Sequence, residues 1–417
     1  MHKKVVITGL GVVSPIGIGL DEFWKSLIEG KSSSALVTYF DTTNYSAKFA
    51  CELKNFQPEN YIDKKKLKRM DKFVQYAVVA AKLAVEDAKL DFSKEDPEKC
   101  GVIVGSGIGG MLTIEEQAKT LFEKGPSRVS PFLIPMIISN MAPAEIAMMF
   151  GARGPNYSMV SACASSTHCI GDALRLMRYG DMDVAIVGGT EASITPLGFA
   201  GFCSIKALST RNNAPEKASR PFDAQRDGFV MGEGGGIVIL ETEEHAIKRG
   251  AKIYCELAGY GATDDAYHMT APEPNAVAAS KCMALAVEDA QLKPENIDYI
   301  NAHGTSTELN DKTETMAIKK VFGEHAKKLA ISSTKSMMGH LLGAAGVVEL
   351  IATALCMENG IIHPTINYEF PDPECDLDYV PNKPRQQQIN AAISNSLGFG
   401  GHNATLAVKR YEGLGGL

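Results

Sequence analysis

The sequence lacks the features that would place it outside the soluble globular enzymes. No Cys-x-x-Cys pair occurs among its 9 cysteines, so there is no sign of a metal site, and scattered thiols suit a reducing compartment. No uninterrupted apolar run approaches the ~18 residues needed to cross a bilayer. The net charge of −7 argues against general nucleic-acid binding. We therefore expect a cytoplasmic protein with no membrane insertion and no nucleic-acid partner.

Short apolar runs alternate with longer helix-like stretches along the 417 residues. This alternation predicts an α/β fold whose sheets are largely buried. The expected strands cover 5–8, 102–104, 157–160, 184–187 and 237–240, then 253–257, 297–300, 329–332, 391–394 and 405–408. The expected helices include 74–89, 166–179, 276–290 and 344–358.

The two halves of the chain can be laid over each other. Each has five expected strands with a helix between the third and the fourth, and each reaches its last strand through a glycine-rich segment. This self-similarity predicts a duplicated α/β unit, divided into residues 1–250 and 251–417. Because no low-complexity linker separates the halves, we expect them to share one packed body.

One cysteine stands in a setting that favours reactivity. The segment Ser161-Ala-Cys163-Ala follows an apolar strand and precedes a helix-like stretch. A thiol at a helix N-terminus is favoured as the thiolate, and small neighbours leave room for a substrate carbonyl, as in a nucleophile elbow. The alternative is one more buried cysteine, since most cysteines are core residues.

Two histidines and a lysine follow strands of the second half. His303 lies in Asn301-Ala-His303-Gly, and Lys335 and His340 follow the next strand. Ligands gather beyond the carboxyl ends of strands in open α/β sheets, so these groups are expected to meet Cys163 there. Each could instead be a structural or surface residue, but the adjacent glycines would let the backbone approach a ligand closely.

Two glycine-rich segments are open to more than one interpretation. Residues 396–403 could supply an oxyanion donor or a gate, although taken alone they predict a hairpin turn. Residues 105–110 match G-x-G-x-x-G after a strand, but the acid-ended second strand of a dinucleotide site is absent. Nucleotide binding is therefore disfavoured.

A basic segment interrupts this acidic protein. Residues 63–72 contain six Lys or Arg and two Asp. A solvated helix face is the commoner explanation for such a run. The functional alternative is a surface that docks an acidic partner.

Together these motifs resemble the β-ketoacyl-acyl-carrier-protein synthases, the bacterial type II condensing enzymes, over nearly the whole chain. The resemblance rests on Ser161-Ala-Cys163, Asn301-Ala-His303-Gly-Thr-Ser-Thr307, Lys335-Ser-Met, Gly339-His340 and Gly398-Phe-Gly-Gly401. It implies a thiolase-like fold, in which two duplicated βαβαβαββ halves form a five-layered αβαβα body, and a homodimer. It also implies no cofactor, because an acyl carrier protein brings the phosphopantetheine.

The resemblance implies an elongating synthase of fatty acid biosynthesis, in which malonyl-carrier protein condenses with an acyl chain held on Cys163. His303 and His340 would donate to the enolate, Lys335 would organise the pair, and the N–H groups of Cys163 and Phe399 would form the oxyanion hole. The implied substrate-binding positions are Ile108, Phe202, Thr270, Thr305, Thr307, Phe399 and Gly400. The implied gating residues are Asp265 and Phe399, the carrier-protein contacts are Lys65, Lys68, Arg69 and Lys206, and the structural supports are Glu349 and Asn395.

The sequence departs from the family pattern at three places, and other functions stay open. Met338 and His402 stand where Thr is usual, and 308–311 replaces a Pro/Gly-rich run, which bears on chain-length preference more than on reaction type. A degradative thiolase would need a second cysteine in the tail loop, and a chain-length-factor subunit would lack Cys163. A ketosynthase of a polyketide or specialised-lipid pathway remains the alternative.

Overall fold

A computed structural model of the chain describes residues 3–413. Each half contributes five strands to a continuous twisted sheet. Those of the first half are Val5–Ser14, Cys100–Gly105, Asn156–Tyr157, Val184–Glu191 and Gly234–Thr242. Those of the second half are Cys255–Asp264, Tyr299–Asn301, Ala330–Ser332, Ala391–Gly398 and His402–Lys409. The short strand Gly17–Ile18 adds to the first, and two-stranded sheets pair Ala35–Leu36 with Phe49–Ala50 and Ile361–Ile362 with Arg385–Gln386.

The two halves have the same strand topology. In each, the second strand lies parallel between the third and the fourth, the fourth is antiparallel to the fifth, and the fifth is antiparallel to the first. The halves join where Val6 and Ile7 pair antiparallel with Glu256 and Cys255. The duplicated thiolase-like arrangement expected from the sequence is therefore confirmed, and the boundary predicted at 250/251 falls in the connection before Cys255–Asp264.

Helices complete five layers. Ser165–Tyr179 and Ala345–Asn359 pack together between the two halves of the sheet. Lys72–Ala88 covers the outer face of the first half, while Val277–Asp289 and Glu308–Phe322 cover that of the second. The remaining α-helices are Leu20–Glu29, Lys64–Leu67, Met111–Lys124, Leu133–Ile137, Met141–Phe150, Pro196–Ser204, Glu243–Lys248 and Lys335–Met338.

Paired glycines repeat the duplication at the level of packing. A Cβ at Gly11 would lie 2.1 Å from the Ala80 carbonyl oxygen of the outer helix, and one at Gly261 would lie 2.1 Å from that of Cys282. Gly9 and Gly259 make equivalent close approaches one residue pair earlier. Part of the high glycine content therefore serves to seat one outer helix directly on each half of the sheet.

All ten expected strands are present with bounds that differ from the expected ones, and two of these differences have a clear physical cause. The strand expected at 157–160 is reduced to Asn156–Tyr157, because it lies at the sheet edge with one neighbour and the chain then turns Val160 outward, leaving it 62% exposed. The strand expected at 253–257 begins at Cys255 and continues to Asp264, since it pairs along its length with the last strand.

One segment is long and apolar enough to span a bilayer by length and composition. It covers Leu342–Asn359, and 89% of it is buried inside the protein. It includes the central helix Ala345–Asn359, so its apolar character serves the core between the two half-sheets. The segment includes Glu349 and Glu358, so the expectation that no uninterrupted apolar run reaches this length is not contradicted, and its burial accounts for its apolar composition.

Candidate active site

Cys163 lies in a strained turn at the start of a central helix. It is the middle residue of a single 3-10 turn, 162–164, that leads directly into Ser165–Tyr179, and it is 6% exposed. The preceding residue, Ala162, has φ 48°, a left-handed conformation that is uncommon for a residue with a side chain. This turn directs the thiol into a cavity of about 530 Å³, as a nucleophile elbow would.

His340 faces the Cys163 thiol directly. Its Nε2 atom is 2.9 Å from Sγ, and its Nδ1 atom accepts the backbone N–H of Leu342 at 3.2 Å. Because Nδ1 is an acceptor, the ring proton resides on Nε2 and points at the sulfur. The backbone of His340 is fixed by hydrogen bonds with Val230 and Gly232.

His303 is set in the same orientation by Lys335. The Lys335 ammonium donates to Nδ1 of His303 at 3.4 Å and to the His303 carbonyl oxygen at 2.6 Å, so the proton of this ring is also on Nε2. The two imidazoles lie edge to face with centroids 5.3 Å apart. The site therefore presents two Nε2–H donors beside one sulfur.

Burial and charge keep both histidines neutral. The pKa values of His303 and His340 lie well below the usual range, first because burial disfavours the imidazolium and second because the Lys335 ammonium repels it. Lys335 is itself 1% exposed and pairs with the buried carboxylate of Glu349. Burial raises the pKa of Glu349 to about 7, against the pull of Lys335.

The pKa of the Cys163 thiol differs from the sequence expectation of a favoured thiolate. Burial raises the pKa of Cys163 to about 11, and the Lys335 charge and a backbone hydrogen bond from Phe399 only partly oppose this. The helix start alone therefore does not produce a standing thiolate in the free protein. The side chains of Cys163, His303 and His340 bring Sγ and imidazole nitrogens within 4.8 Å of one another, as the ligands of a metal site would be. The positive charge of Lys335 disfavours a second cation there.

The tail loop is both a hairpin turn and part of the site. Gly398 pairs with His402 across the turn, as expected for a hairpin. A Cβ at Gly398 would lie 3.0 Å from the Ser161 carbonyl oxygen and 3.2 Å from the Cys163 nitrogen, so glycine is needed for the hairpin to reach the Cys163 turn. The next residue, Phe399, donates its backbone N–H to the Cys163 thiol.

The cavity gathers most of the predicted substrate-binding residues. It is lined by Ile108, Phe202, Thr270, Thr305, Thr307 and Phe399, together with the predicted gating residue Asp265. Gly400 lies one residue outside this lining, where its N–H donates to the Met269 carbonyl oxygen at 2.8 Å. The segment that resembled a dinucleotide motif forms one wall of this cavity instead, because Gly107 and Ile108 line it.

The predicted docking residues are exposed. Lys206 lies at the cavity, while Lys65, Lys68 and Arg69 lie on the helix Lys64–Leu67 and the turn after it. The Arg69 guanidinium stacks 4.6 Å over the Phe132 ring. The predicted supports are also in place, since Asn395 donates to Glu314, whose carboxylate accepts the His303 and Gly304 N–H groups.

Sequence reasoning did not identify three buried groups around the site. Glu314 holds the His303 turn, Glu191 contacts the Ile108 segment, and Phe229 packs edge-on against His340 with centroids 5.4 Å apart. Phe229 follows Arg226-Asp-Gly in the sequence, which could have drawn attention to it. Glu191 carries little local signal, because most of its partners are distant along the chain, whereas Glu314 lies 10 and 11 residues after the two N–H groups it accepts.

The fold and the site together define a thiolase-like condensing enzyme with a Cys-His-His centre. The family model for the N-terminal domain of β-ketoacyl synthases matches residues 2–246, and that for the C-terminal domain matches residues 254–369. The chain belongs to the β-ketoacyl synthase family.

Relatives of this chain carry one recurrent name. The 3-oxoacyl-[acyl-carrier-protein] synthase 2 of Synechocystis sp. is 52% identical over 410 residues, covering 98% of this chain and 99% of that protein. The Staphylococcus aureus (strain COL) protein of the same name is 52% identical over 411 residues, covering 99% of each.

Solved structures confirm the fold. A type II polyketide ketosynthase, solved in complex with its acyl-carrier protein, has a TM-score of 0.92 at 36% identity and covers 99% of this chain and 100% of that one. A β-ketoacyl synthase from Burkholderia phymatum has a TM-score of 0.91 at 34% identity, covering 98% and 100%. The higher identity to the curated synthases favours them over the polyketide alternative.

Proposed function

We propose that this protein is an elongating β-ketoacyl-[acyl-carrier-protein] synthase of fatty acid biosynthesis. The observation that carries the proposal is the pair of neutral imidazoles that present Nε2–H donors beside Cys163. A developing enolate oxygen is stabilised by such fixed donors, and removing one donor of this kind typically costs about 10²–10³ in rate. Acyl carrier protein, loaded with acyl or malonyl groups, is the proposed partner, and no further cofactor is required.

The first half-reaction loads the enzyme. Cys163 Sγ attacks the thioester carbonyl of an acyl-carrier protein, the carbon–sulfur bond to the carrier breaks, and the proton of the Cys163 thiol ends on the carrier sulfur, which leaves as the thiol. The N–H groups of Cys163 and Phe399 donate hydrogen bonds to the oxyanion of the tetrahedral intermediate. Because burial raises the pKa of the Cys163 thiol, its proton leaves the sulfur during the attack rather than before it.

The second half-reaction forms the carbon–carbon bond. Malonyl-carrier protein loses CO2, and the electrons of the broken bond pass to an enolate whose oxygen lies at the Nε2–H groups of His303 and His340. The enolate carbon then attacks the Cys163 thioester, and the thiolate leaves as the β-ketoacyl-carrier protein forms. Thr305 and Thr307, whose hydroxyls are 2.9 Å apart at the cavity, hold the pantetheine arm in this proposal.

A second copy of the chain is the proposed cover of an apolar face at the sheet edge. Exposed apolar side chains cluster by sequence around the edge strand Asn156–Tyr157 and the helices before it. They include Met148, on the helix that packs against this strand, at 64% exposure and Val160 at 62% exposure. Exposed apolar patches and open edge strands mark protein interfaces. Sedimentation at graded concentration tests this, and a strictly monomeric protein would contradict it.

The reaction and the chain range can be tested together. The protein is incubated with malonyl-carrier protein and acyl-carrier proteins of graded length, and the products are identified by mass spectrometry. We expect β-ketoacyl-carrier proteins two carbons longer than each accepted substrate, with one CO2 released per turnover. Absence of elongated product with every acyl length would overturn the proposal.

All nine cysteines are free thiols, which supports our placement of the enzyme in the reducing cytoplasm.

A further inference from the structure

Glu191 gathers five hydrogen bonds although no solvent reaches it. It is the last residue of the strand Val184–Glu191 and is 0% exposed. Its Oε1 atom accepts the Ile108 N–H at 3.2 Å and its Oε2 atom accepts the Gly343 N–H at 3.0 Å. The other donors are the Gly107 N–H at 2.8 Å and the hydroxyls of Ser106 and Ser193 at 3.1 and 3.2 Å.

The carboxylate joins two segments from opposite halves of the chain. A Cβ at Gly107 would lie 2.7 Å from Oε2 and one at Gly343 would lie 2.9 Å from it, so both segments press their backbones against the same oxygen. Buried carboxylates need such donors, and here both oxygens are fully used.

Each of the two segments ends at a working part of the cavity. Ile108 lines the cavity and packs against the apolar cluster that contains Cys163. Leu342, held at φ 47° next to Gly343, donates the N–H that fixes the tautomer of His340. The bonds made by Glu191 therefore reach the acyl wall on one side and the catalytic imidazole on the other.

We infer that Glu191 is a positioning residue that holds the Ile108 wall of the acyl pocket and the His340 turn in one fixed relation. The inference rests on the proposed condensation and adds a determinant of acyl-chain selectivity to it. Substrate length and catalytic geometry share a single anchor in this arrangement.

The substitution Glu191→Gln is expected to affect the Ile108 wall and the His340 turn differently. The Gln oxygen can replace Oε2 and keep the Gly107 and Gly343 bonds, while its amide nitrogen then replaces Oε1. The hydroxyls of Ser106 and Ser193 can turn to accept from that nitrogen, but the Ile108 N–H cannot. We therefore expect the Ile108 wall to shift more than His340, and the ratio of kcat/KM for long over short acyl-carrier proteins to change by about fivefold or more, as for one buried hydrogen bond lost.

The control is Glu233→Gln. Glu233 is another buried glutamate of the first half, and it accepts from Tyr39, Tyr76 and Leu53, outside the catalytic cavity. Thermal unfolding of both variants establishes that they are folded. The control is expected to leave the selectivity ratio of the wild-type protein unchanged.

A double-mutant cycle makes the inference specific. If Glu191 acts on selectivity through Ile108, then adding Glu191→Gln to an Ile108→Ala background should no longer change the ratio. If Glu191→Gln is unfolded, Ser193→Ala removes one Oε1 donor and should shift the ratio in the same direction by a smaller factor. An unchanged ratio in folded Glu191→Gln, or an equal change in both backgrounds, overturns the inference. Failure of the wild-type protein to condense any substrate would instead overturn the proposed function.

Discussion

The same backbone turn occurs once in each half of the molecule and carries different chemistry. In the first half, Ala162 at φ 48° precedes Cys163 and the central helix Ser165–Tyr179. In the second half, Leu342 at φ 47° precedes Gly343 and the central helix Ala345–Asn359. The turn presents the Cys163 thiol in the first half, whereas in the second half the matching residue, Gly343, packs against the backbone of Gly107.

The segments after the middle strands show a second contrast. After Cys100–Gly105 the chain forms the Ile108 wall, held by Glu191, and after Tyr299–Asn301 it forms the His303 turn, held by Glu314. Both glutamates are buried and accept backbone N–H groups of the segment they support. The two copies of the scaffold therefore carry different side chains at the cavity, since the first presents Ile108 and the second presents His303.

Removal of the nucleophile should have the largest effect. We expect Cys163→Ala to abolish acyl loading and to lower condensation by more than about 10³-fold, because the covalent step has no other thiol in reach. Intact-mass measurement after incubation with an acyl-carrier protein detects the acyl adduct. Cys203→Ala, a half-buried cysteine outside the cavity, is the matched control and should load normally. An acylated Cys163→Ala protein would rule out the nucleophile assignment.

In the equivalent turn of the second half, position 343 should tolerate no side chain. A Cβ at residue 343 would lie 2.3 Å from the Gly107 nitrogen and 2.9 Å from Glu191, so backbone must move. We expect Gly343→Ala to lower the free energy of unfolding by about 1–3 kcal/mol, as in overpacked cores, and to reduce activity through Leu342 and His340. Gly201→Ala is the control, since nothing lies within 4 Å of its Cβ. Equal stability of the two variants would refute this contrast.

Acid should lower the free energy of unfolding through one histidine in each half, the half-buried His168 and the buried His363. Burial lowers the pKa of His168 in the first half and of His363 in the second to about 4. Below the unfolded value of about 6.5 the unfolded chain binds protons that the folded chain excludes, so stability is complete above that pH and is lost between about 6.5 and 4. The raised pKa of His245 beside Glu241 acts in the opposite direction.

Substitution measures the contribution of each histidine. In urea unfolding between pH 6.5 and 4, His363→Gln should reduce the fall in the free energy of unfolding by up to about 1.4 kcal/mol per pH unit, the value for one proton. His168→Gln should do the same in the first half, whereas the exposed His268→Gln should leave the slope unchanged. Identical slopes in all three variants would exclude this account of acid sensitivity.

Local sequence patterns predicted those features of the two halves that depend on a few consecutive residues. The strand series, the duplicated topology and the positions of Cys163, His303 and His340 follow from apolar periodicity and strand-end motifs. Glu191 could not be found this way, because four of its five hydrogen-bond donors lie 83 to 85 residues before it or 152 after it. The raised pKa of the thiol was missed for a related reason. Burial is set by the whole fold, whereas the helix start is visible locally.

The smallest expected effect concerns the basic surface, which has no counterpart among the predicted sites of the second half. Reversing the charges of Lys65 and Arg69 should raise the apparent KM for carrier-linked substrates about threefold to tenfold with little change in kcat, because steering charges act on encounter. Lys327→Glu, an exposed reversal in the second half, is the control. The difference should shrink as salt is raised, since exposed charges more than about 10 Å apart are screened at 0.1 M. An unchanged KM at low salt would show that this surface is only a solvated helix face.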